Sequence, residues 1–393
     1  MSKLYSPLLP LLGLWAASNL GAVYAPIPEQ EQGKDFTAAI RVGASHDSNI
    51  FGAATGAVSS AVYTVEPSLK LNRSLSDQTF FSASYRLTLD RMEDRPGDRT
   101  LDSHDANVRL AHAFSQATNI DLSDNYTVAK NPESLLAGIP LNTDQSFERN
   151  QLDGRFVTNL TERANATLKA RTVHYRYDNA TLGASLDRTE NLLGAAVSID
   201  VVPELKAVGE YRFQDVGYRS AGASKDKQSN FLIGGFDYEL AKKLTASGRL
   251  GYEWRQREGA GDTDVPYVEL SGKYDYAEKS YITGGYIHTI EEASNVAQFT
   301  DTRVNRLFVN IQHSVSALIV TSTSLTYEPS TLLGRAAQAD VDETTTRFGF
   351  AMSYLPTQNW TISATYDNDR VKSDDPNREL KRNRYGLSAA FSF

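Results

Sequence analysis

The side chains of this 393-residue chain that could do chemistry are charged groups at every second position of short segments. In Leu244–Arg257, the residues Arg249, Glu253 and Arg255 share one parity, whereas Leu250 and its alternate neighbours share the other. A period of two is typical of a β-strand whose two faces meet different surroundings. Fixed charges on a water-facing wall set the electrostatic barrier for polar solutes. The pattern therefore predicts passage along a charged wall.

Enzyme motifs are missing from the sequence. Neither HExxH, GxSxG nor a P-loop occurs, and the six histidines lack the spacing of metal ligands. Cysteine is absent, which excludes disulfides and thiolate metal sites. We expect no catalytic residue, no metal and no cofactor. A barrel hydrolase or lipase stays open as an alternative, because its catalytic dyad would come from residues far apart in the sequence.

Strand phase assigns a set of charged residues to the polar face, which we expect to line a pore. They are Arg86, Arg109, Arg155, Arg171, Arg212, Arg249, Glu253, Arg255, Arg306, Arg347 and Arg384. One interpretation is a water-filled wall whose opposite charges pair. The other is a slight basic excess that guides an anionic solute.

Six aromatic residues phase to the same polar face. They are Tyr175, Tyr177, Phe231, Tyr267, Tyr281 and Phe308. Inward aromatic rings could stack on sugar rings and form a slide for a polysaccharide. The alternative is a bulge or register slip that returns these rings to lipid.

From about Asp35 onward, the chain repeats a strand of about ten residues, a short turn, a second strand and a longer polar loop. The content of 20 Tyr, 16 Phe and 26 Gly but only 3 Met suits such strands. A mean hydropathy of −0.40 fits a transmembrane barrel, because half of each strand faces water. We predict an all-β, antiparallel up-and-down transmembrane β-barrel of about 18 strands, with periplasmic short turns and extracellular long loops. A soluble β-sandwich or β-helix is the alternative. Pro67 lies within a strand, where we expect a bulge.

The carboxyl end alternates apolar residues up to a terminal phenylalanine. This pattern resembles the closing strand of bacterial outer-membrane barrels, which the barrel assembly machinery reads. The expected assembly signal consists of Tyr385, Leu387, Phe391 and Phe393. We therefore expect the protein in the bacterial outer membrane, in contact with its lipid and lipopolysaccharide.

The N-terminal sequence predicts that the chain divides into three parts. Residues 1–25 read as a signal peptide, with Lys3, an apolar run and the small-residue context around Ala25. Cleavage after Ala22 and an uncleaved anchor helix are the alternatives. Residues 26–34 form a short periplasmic segment, and residues 35–393 form the barrel.

The first hairpin contains Val42–Phe51, with Asp47-Ser48-Asn49, followed by Glu66–Leu71. These residues resemble a family of β-barrel porins commonly encoded beside exopolysaccharide synthesis and export genes. The resemblance implies a non-enzymatic conduit for an exopolysaccharide or capsular polysaccharide, working with a periplasmic export protein, an inner-membrane copolymerase and a flippase. We interpret Asp47-Ser48-Asn49 as a plain polar turn that closes the first hairpin, with a binding site as the alternative.

A general or solute-selective diffusion porin is the alternative function. A net charge of −8 and the lack of a basic stretch argue against a nucleic-acid partner.

Overall fold

The computed structural model describes residues 35–130, 145–219, 225–240, 243–257, 261–292, 298–335 and 338–393. The signal peptide and the N-terminal segment predicted for residues 1–34 lie outside these ranges, as do parts of several predicted loops. Within the described ranges, no helix is long and apolar enough to cross a membrane.

The described chain forms 18 strands and one short α-helix. Their bounds are β1 (Phe36–Asp47), β2 (Ser60–Ser76), β3 (Thr79–Met92), β4 (Thr100–Ala113), β5 (Thr118–Ala129), β6 (Phe147–Asn159), β7 (Ala164–Tyr177), α1 (Ala180–Leu186), β8 (Arg188–Val202), β9 (Leu205–Tyr218), β10 (Lys227–Leu240), β11 (Leu244–Arg257), β12 (Thr263–Ala277), β13 (Ser280–Glu292), β14 (Phe299–Ser314), β15 (Ile319–Gly334), β16 (Val341–Tyr354), β17 (Trp360–Ser373) and β18 (Leu380–Ser392). A 3₁₀ turn, Pro376–Arg378, precedes β18.

Each strand pairs antiparallel with the next, and β18 pairs with β1 to close the barrel. The closing ladder runs from Ala39 opposite Ser392 to Asp47 opposite Arg384. Closure gives every strand a paired neighbour on both sides, which a membrane-spanning sheet requires. The prediction of an 18-stranded up-and-down barrel is confirmed.

The two faces of the sheet differ as strand alternation predicts. Leu193, Leu250 and Leu387 belong to one face, where large apolar side chains are exposed on every strand. Such a continuous apolar surface is stable against lipid. The strands run from 12 residues in β1 to 17 in β2, longer than the ten residues expected. They therefore extend beyond the thickness of the membrane core.

The bulge predicted at Pro67 is wrong. Pro67 pairs with Ile40 on β1, and the β2–β3 ladder skips Glu66 and Pro67 without a shift of register. Proline lacks the N–H that would face β3, so the ladder loses bonds there while the strand stays straight. The Glu66 carboxylate bridges part of the gap by accepting a hydrogen bond from Thr88 Oγ1 at 3.3 Å.

The connections differ between the two ends of the barrel. At the short-turn end, hairpins close tightly, as between Ser76 and Thr79. At the long-loop end, connections are longer, and the one between β7 and β8 contains α1. The Asn179 side chain caps α1 by accepting hydrogen bonds from the backbone N–H groups of Thr181 (3.0 Å) and Leu182 (3.1 Å).

Candidate functional site: the lumenal wall

Contacts between strands that are not neighbours identify the lumenal face. Tyr218 on β9 donates a hydrogen bond to Glu292 on β13 at 2.6 Å, four strands away. Arg255 on β11 donates from Nη2 to the Ile290 carbonyl on β13 at 3.0 Å. Such contacts form only inside the barrel. The strand registers place all eleven charged residues chosen from the sequence on the face that Tyr218 and Arg255 share.

Most of these arginines pair with carboxylates on the same or a nearby strand. The pairs are Arg86–Asp105 (4.0 Å), Arg109–Asp121, Arg171–Asp153 (2.6 Å), Arg212–Glu210 (2.7 Å), Arg249–Asp237 (2.6 Å), Arg255–Glu253 (2.9 Å), Arg306–Glu291 (3.1 Å) and Arg384–Asp369 (3.0 Å). Several of these carboxylates were missing from the sequence-based set, which is why that set suggested a basic excess. Fixed charges of opposite sign at such distances cancel most of each other's field.

Two of the eleven residues make no ion pair with any other residue in the described ranges. Arg155 is exposed on β6. Arg347 lies opposite Asp369 in the β16–β17 register, but the Asp369 carboxylate bonds to Arg384 at 3.0 Å. Arg155 and Arg347 are therefore the positive charges of the set that act most directly on a solute.

The long-loop end of the β13–β14 hairpin bends into the lumen. Pairing between β12 and β13 stops at Val268 opposite His288, whereas β13 and β14 stay paired up to Glu292 opposite Asp301. This end, residues 289–292 and 299–302, has left β12 but stays paired with β15 up to Phe299 opposite Gly334, and it lies against the lumenal face of β9–β11. We call it the bent hairpin end.

Two arginines of β11 donate hydrogen bonds to backbone carbonyls of the bent hairpin end. Arg255 donates to the Ile290 carbonyl at 3.0 Å, and Arg257 donates to the Thr300 carbonyl at 2.9 Å. A carbonyl that has left its ladder needs another donor when it is buried. The bond to Ile290 thus stands in for pairing with β12, and the bond to Thr300 falls at the bulge between Phe299 and Asp301, where β14 shifts register against β15.

Charged side chains complete this attachment, and we call them the constriction cluster: Lys227, Glu253, Arg255, Arg257, Glu292 and Asp301. Glu292 pairs with Lys227, and Asp301 pairs with both Arg255 and Arg257. The side chains of Arg255, Glu253 and Asp301 are only 2% exposed. Three cations face three carboxylates, so the buried charges are balanced. The cluster narrows the lumen at the long-loop end.

Sequence reasoning missed four of the six cluster residues, Lys227, Arg257, Glu292 and Asp301, and for two of them the reason is physical. By strand parity, Glu292 and Asp301 belong to the lipid face, and only the bend turns them toward β11. Neighbouring Lys225, in the β9–β10 connection, donates to the Ser185 carbonyl at 2.5 Å, and burial lowers its pKa to about 8.

At three of the six residues of the predicted aromatic slide, Tyr175, Phe231 and Tyr267, other side chains lie against the ring. Phe231 and Tyr267 are 0% and 3% exposed, and their rings meet edge to face at 6.2 Å. The Arg188 guanidinium lies 4.1 Å from the centroid of the Tyr175 ring. These aromatic residues do face inward, but protein groups cover their faces, so a sugar has no ring to stack on there.

Asp47-Ser48-Asn49 forms a polar turn that also locks the closing seam. The Asp47 carboxylate accepts from Arg382 Nε at 3.0 Å and from the Asn49 backbone N–H at 2.8 Å. Ser48 Oγ accepts from the Asn383 backbone N–H at 2.8 Å. The turn interpretation is thus confirmed, and these residues join the first loop to β18.

Small residues occupy the inward positions near the short-turn end of β15–β18. They are Ser322, Ser324, Ala351, Ser353, Ser363, Thr365, Ser388 and Ala390. The lumen is therefore wider and lined by hydroxyl groups at this end. Across the described ranges, no group of three or more His, Cys, Asp or Glu is arranged to hold a metal.

A closed antiparallel barrel with an apolar outer face and a polar, charge-paired lumen defines the class of outer-membrane β-barrel porins. Residues 36–393 match the family described as "Putative beta-barrel porin 2", and the chain belongs to that family. No curated protein matches the chain.

The chain is also similar, at low identity, to solved structures of other proteins. OccAB3 of Acinetobacter baumannii is 12% identical with a TM-score of 0.46, covering 91% of this chain and 98% of that one. OpdL of Pseudomonas aeruginosa is 14% identical with a TM-score of 0.46, covering 91% and 99%. The siderophore receptor PirA of Pseudomonas aeruginosa is 12% identical with a TM-score of 0.45, covering 92% and 81%.

Proposed function

We propose that this protein is a passive, non-enzymatic channel that exports an exopolysaccharide or capsular polysaccharide across the outer membrane. The observation that carries the proposal is the charge-paired wall. A polymer fills a channel along its whole length, so unpaired wall charges would hold it at many points. Conduction requires binding that is weak at each of many sites. Paired charges and hydroxyl groups supply hydrogen bonds without a strong net field.

The same wall favours a neutral or weakly charged polymer over a strongly anionic one. Arg155 and Arg347 are too few to draw in a polyanion against the carboxylates that share the lumen. The resemblance of the first hairpin to exopolysaccharide-linked porins also supports export, and a periplasmic export protein is the expected partner at the short-turn end.

A solute-selective diffusion porin is the second candidate, and the constriction cluster favours it. A fixed hairpin end inside the lumen reduces the bore, as size selection of small solutes would need. Under this alternative the bent hairpin end stays in place during transport, whereas polymer export requires it to leave the lumen or to leave enough room beside it.

Gene deletion separates the two candidates. Deleting the gene should abolish secreted and surface polysaccharide without slowing growth on small nutrients, and the wild-type gene supplied in trans should restore secretion. Unchanged secretion combined with loss of growth on one small solute would refute export and establish the diffusion porin. The purified protein should not hydrolyse the polymer, and measurable hydrolysis would refute the non-enzymatic reading.

A further inference from the structure

Three cations lie side by side on the outer face of β17 and β18 near the long-loop end. They are Arg370, Lys372 and Lys381, and all are exposed. Arg370 and Lys381 stand directly opposite each other in the register. Like charges in opposite positions are destabilising unless an anion offsets them. Within the described ranges, none of the three makes an ion pair, so their charge faces outward.

The position of these cations relative to the aromatic residues indicates their depth in the membrane. His46, Tyr385 and Tyr366 stack across β1, β18 and β17, with ring centroids 6.0 and 5.8 Å apart. Aromatic rings of this kind mark the interface between lipid tails and headgroups. The outward positions one step beyond them carry Asn368 and Asn383, and the next step carries Arg370 and Lys381.

Other strands do not repeat this arrangement at the corresponding positions. On β4–β6 the outward residues near the long-loop end include Asp102, Asp124 and Glu148. Other outward cations at this end stand singly: Arg91 on β3, Arg176 opposite Glu148, and Arg303 on β14. The basic patch is therefore confined to one side of the barrel, beside the seam.

Three acidic residues lie near the patch: Asp342, Asp374 and Glu379, which is exposed and directly precedes β18. The Asp342 carboxylate on β16 accepts a hydrogen bond from Thr331 Oγ1 at 2.7 Å. Asp374 accepts from the Asp342 backbone N–H at 3.4 Å. All three acids lie closer to the long-loop end than Arg370 and Lys381, so an external anion can reach that pair without competing with a carboxylate at the same level.

We propose that Arg370, Lys372 and Lys381 bind the phosphate groups of lipid A, the phosphorylated glycolipid of the outer leaflet. The arginine fork and the two lysine ammonium groups would hold phosphate oxygens. Asn368 and Asn383, joined by a hydrogen bond of 2.9 Å, lie between the cations and the aromatic rings, and the exposed apolar strip that contains Leu387 meets the acyl chains. The site is independent of what passes through the lumen.

Binding of lipid A to the purified barrel in detergent tests the proposal, with native mass spectrometry as the readout. The triple variant Arg370→Gln, Lys372→Gln, Lys381→Gln should bind lipid A roughly a hundredfold more weakly, since each cation at an anionic lipid surface contributes about fivefold. Arg91→Gln is the matched control and should bind like wild type. The variant Lys372→Arg, Lys381→Arg keeps the charge and should bind normally.

Two further measurements, one with dephosphorylated lipid A and one with inorganic phosphate, define the chemistry of the ligand. Dephosphorylated lipid A should bind wild type and the triple variant equally, and inorganic phosphate at millimolar concentration should not displace lipid A. Equal binding of lipid A by wild type and triple variant would overturn the proposal, as would displacement by inorganic phosphate. Retained resistance of each variant to unfolding in SDS without heating shows that the barrel is intact.

Discussion

Replacing Arg255 by glutamine should release the bent hairpin end from the lumenal wall. The single guanidinium of Arg255 donates to three groups of the lumen: the Glu253 carboxylate at 2.9 Å, the Asp301 carboxylate, and the Ile290 carbonyl at 3.0 Å. Its side chain is 2% exposed. The glutamine has no charge and a shorter reach, so it cannot serve all three groups.

The expected free-energy change follows from burial. Removing one partner of a buried ion pair costs about 3–5 kcal/mol, because the remaining charge stays buried without compensation. That is a change of roughly a hundredfold to a few thousandfold in the ratio of attached to released hairpin. Arg249→Gln on the same strand is the matched control. Its partner Asp237 is 45% exposed, and such pairs contribute about 0–1 kcal/mol.

The absence of cysteine from the chain makes a labelling assay direct. Ser229 on the lumenal face of β10 is 0% exposed and lies opposite Arg255 in the register. In a Ser229→Cys background, a hydrophilic maleimide should react slowly with the parent and much faster once Arg255→Gln is added. Single-channel conductance in planar bilayers should rise in the same variant, and Arg249→Gln should change neither quantity.

Equal labelling rates in the Arg255→Gln and Arg249→Gln variants would refute this reasoning. It would mean that packing, and not the constriction cluster, covers Ser229. Loss of the folded barrel in Arg255→Gln would contradict the reasoning too, because the closing ladders of the sheet do not depend on that side chain.

Three further predictions concern other parts of the molecule. Arg347→Glu should shift the reversal potential in planar bilayers toward cations more than Arg249→Glu does, because Arg249 is already paired with Asp237 at 2.6 Å. The shift should be smaller at high salt. Equal shifts for the two variants would contradict the pairing. Asp47→Ala should lower the temperature at which the barrel unfolds in SDS by leaving buried Arg382 without its partner, a cost of about 3–5 kcal/mol, whereas Arg86→Gln, which breaks a half-exposed pair at 4.0 Å, should not. Cysteines at Gly97 and Asp375 should be labelled from outside intact cells and a cysteine at Glu204 should not, and the reverse pattern would invert the barrel.

Much of the fold follows from the sequence because strand alternation is local. Arg249 and Leu250 are neighbours that face water and lipid, and that difference alone fixes which way β11 faces. The strand number and the lumenal side of the eleven charged residues follow from repeating this step along the chain. The assembly role of Tyr385, Leu387, Phe391 and Phe393 remains a prediction.

Features that depend on distant contacts could not be predicted in this way. Thr289 and Ile290 are β-branched and read as a continuing strand, yet β13 leaves β12 at His288 and bends inward. The acids that neutralise the arginines come from other strands, as Asp301 does for Arg255. Pro67 stays in register because β1 pairs with it from the other side.

Current recordings with the polymer itself test the central claim most directly. Purified protein in a planar bilayer should conduct ions, and polysaccharide from the same cells, added at the short-turn side, should block the current in transient events. The blocked time should lengthen with polymer length, because a longer chain takes longer to pass, and monosaccharides should leave the current unchanged. A channel that the polymer never blocks, but that one small solute does, would contradict polysaccharide export.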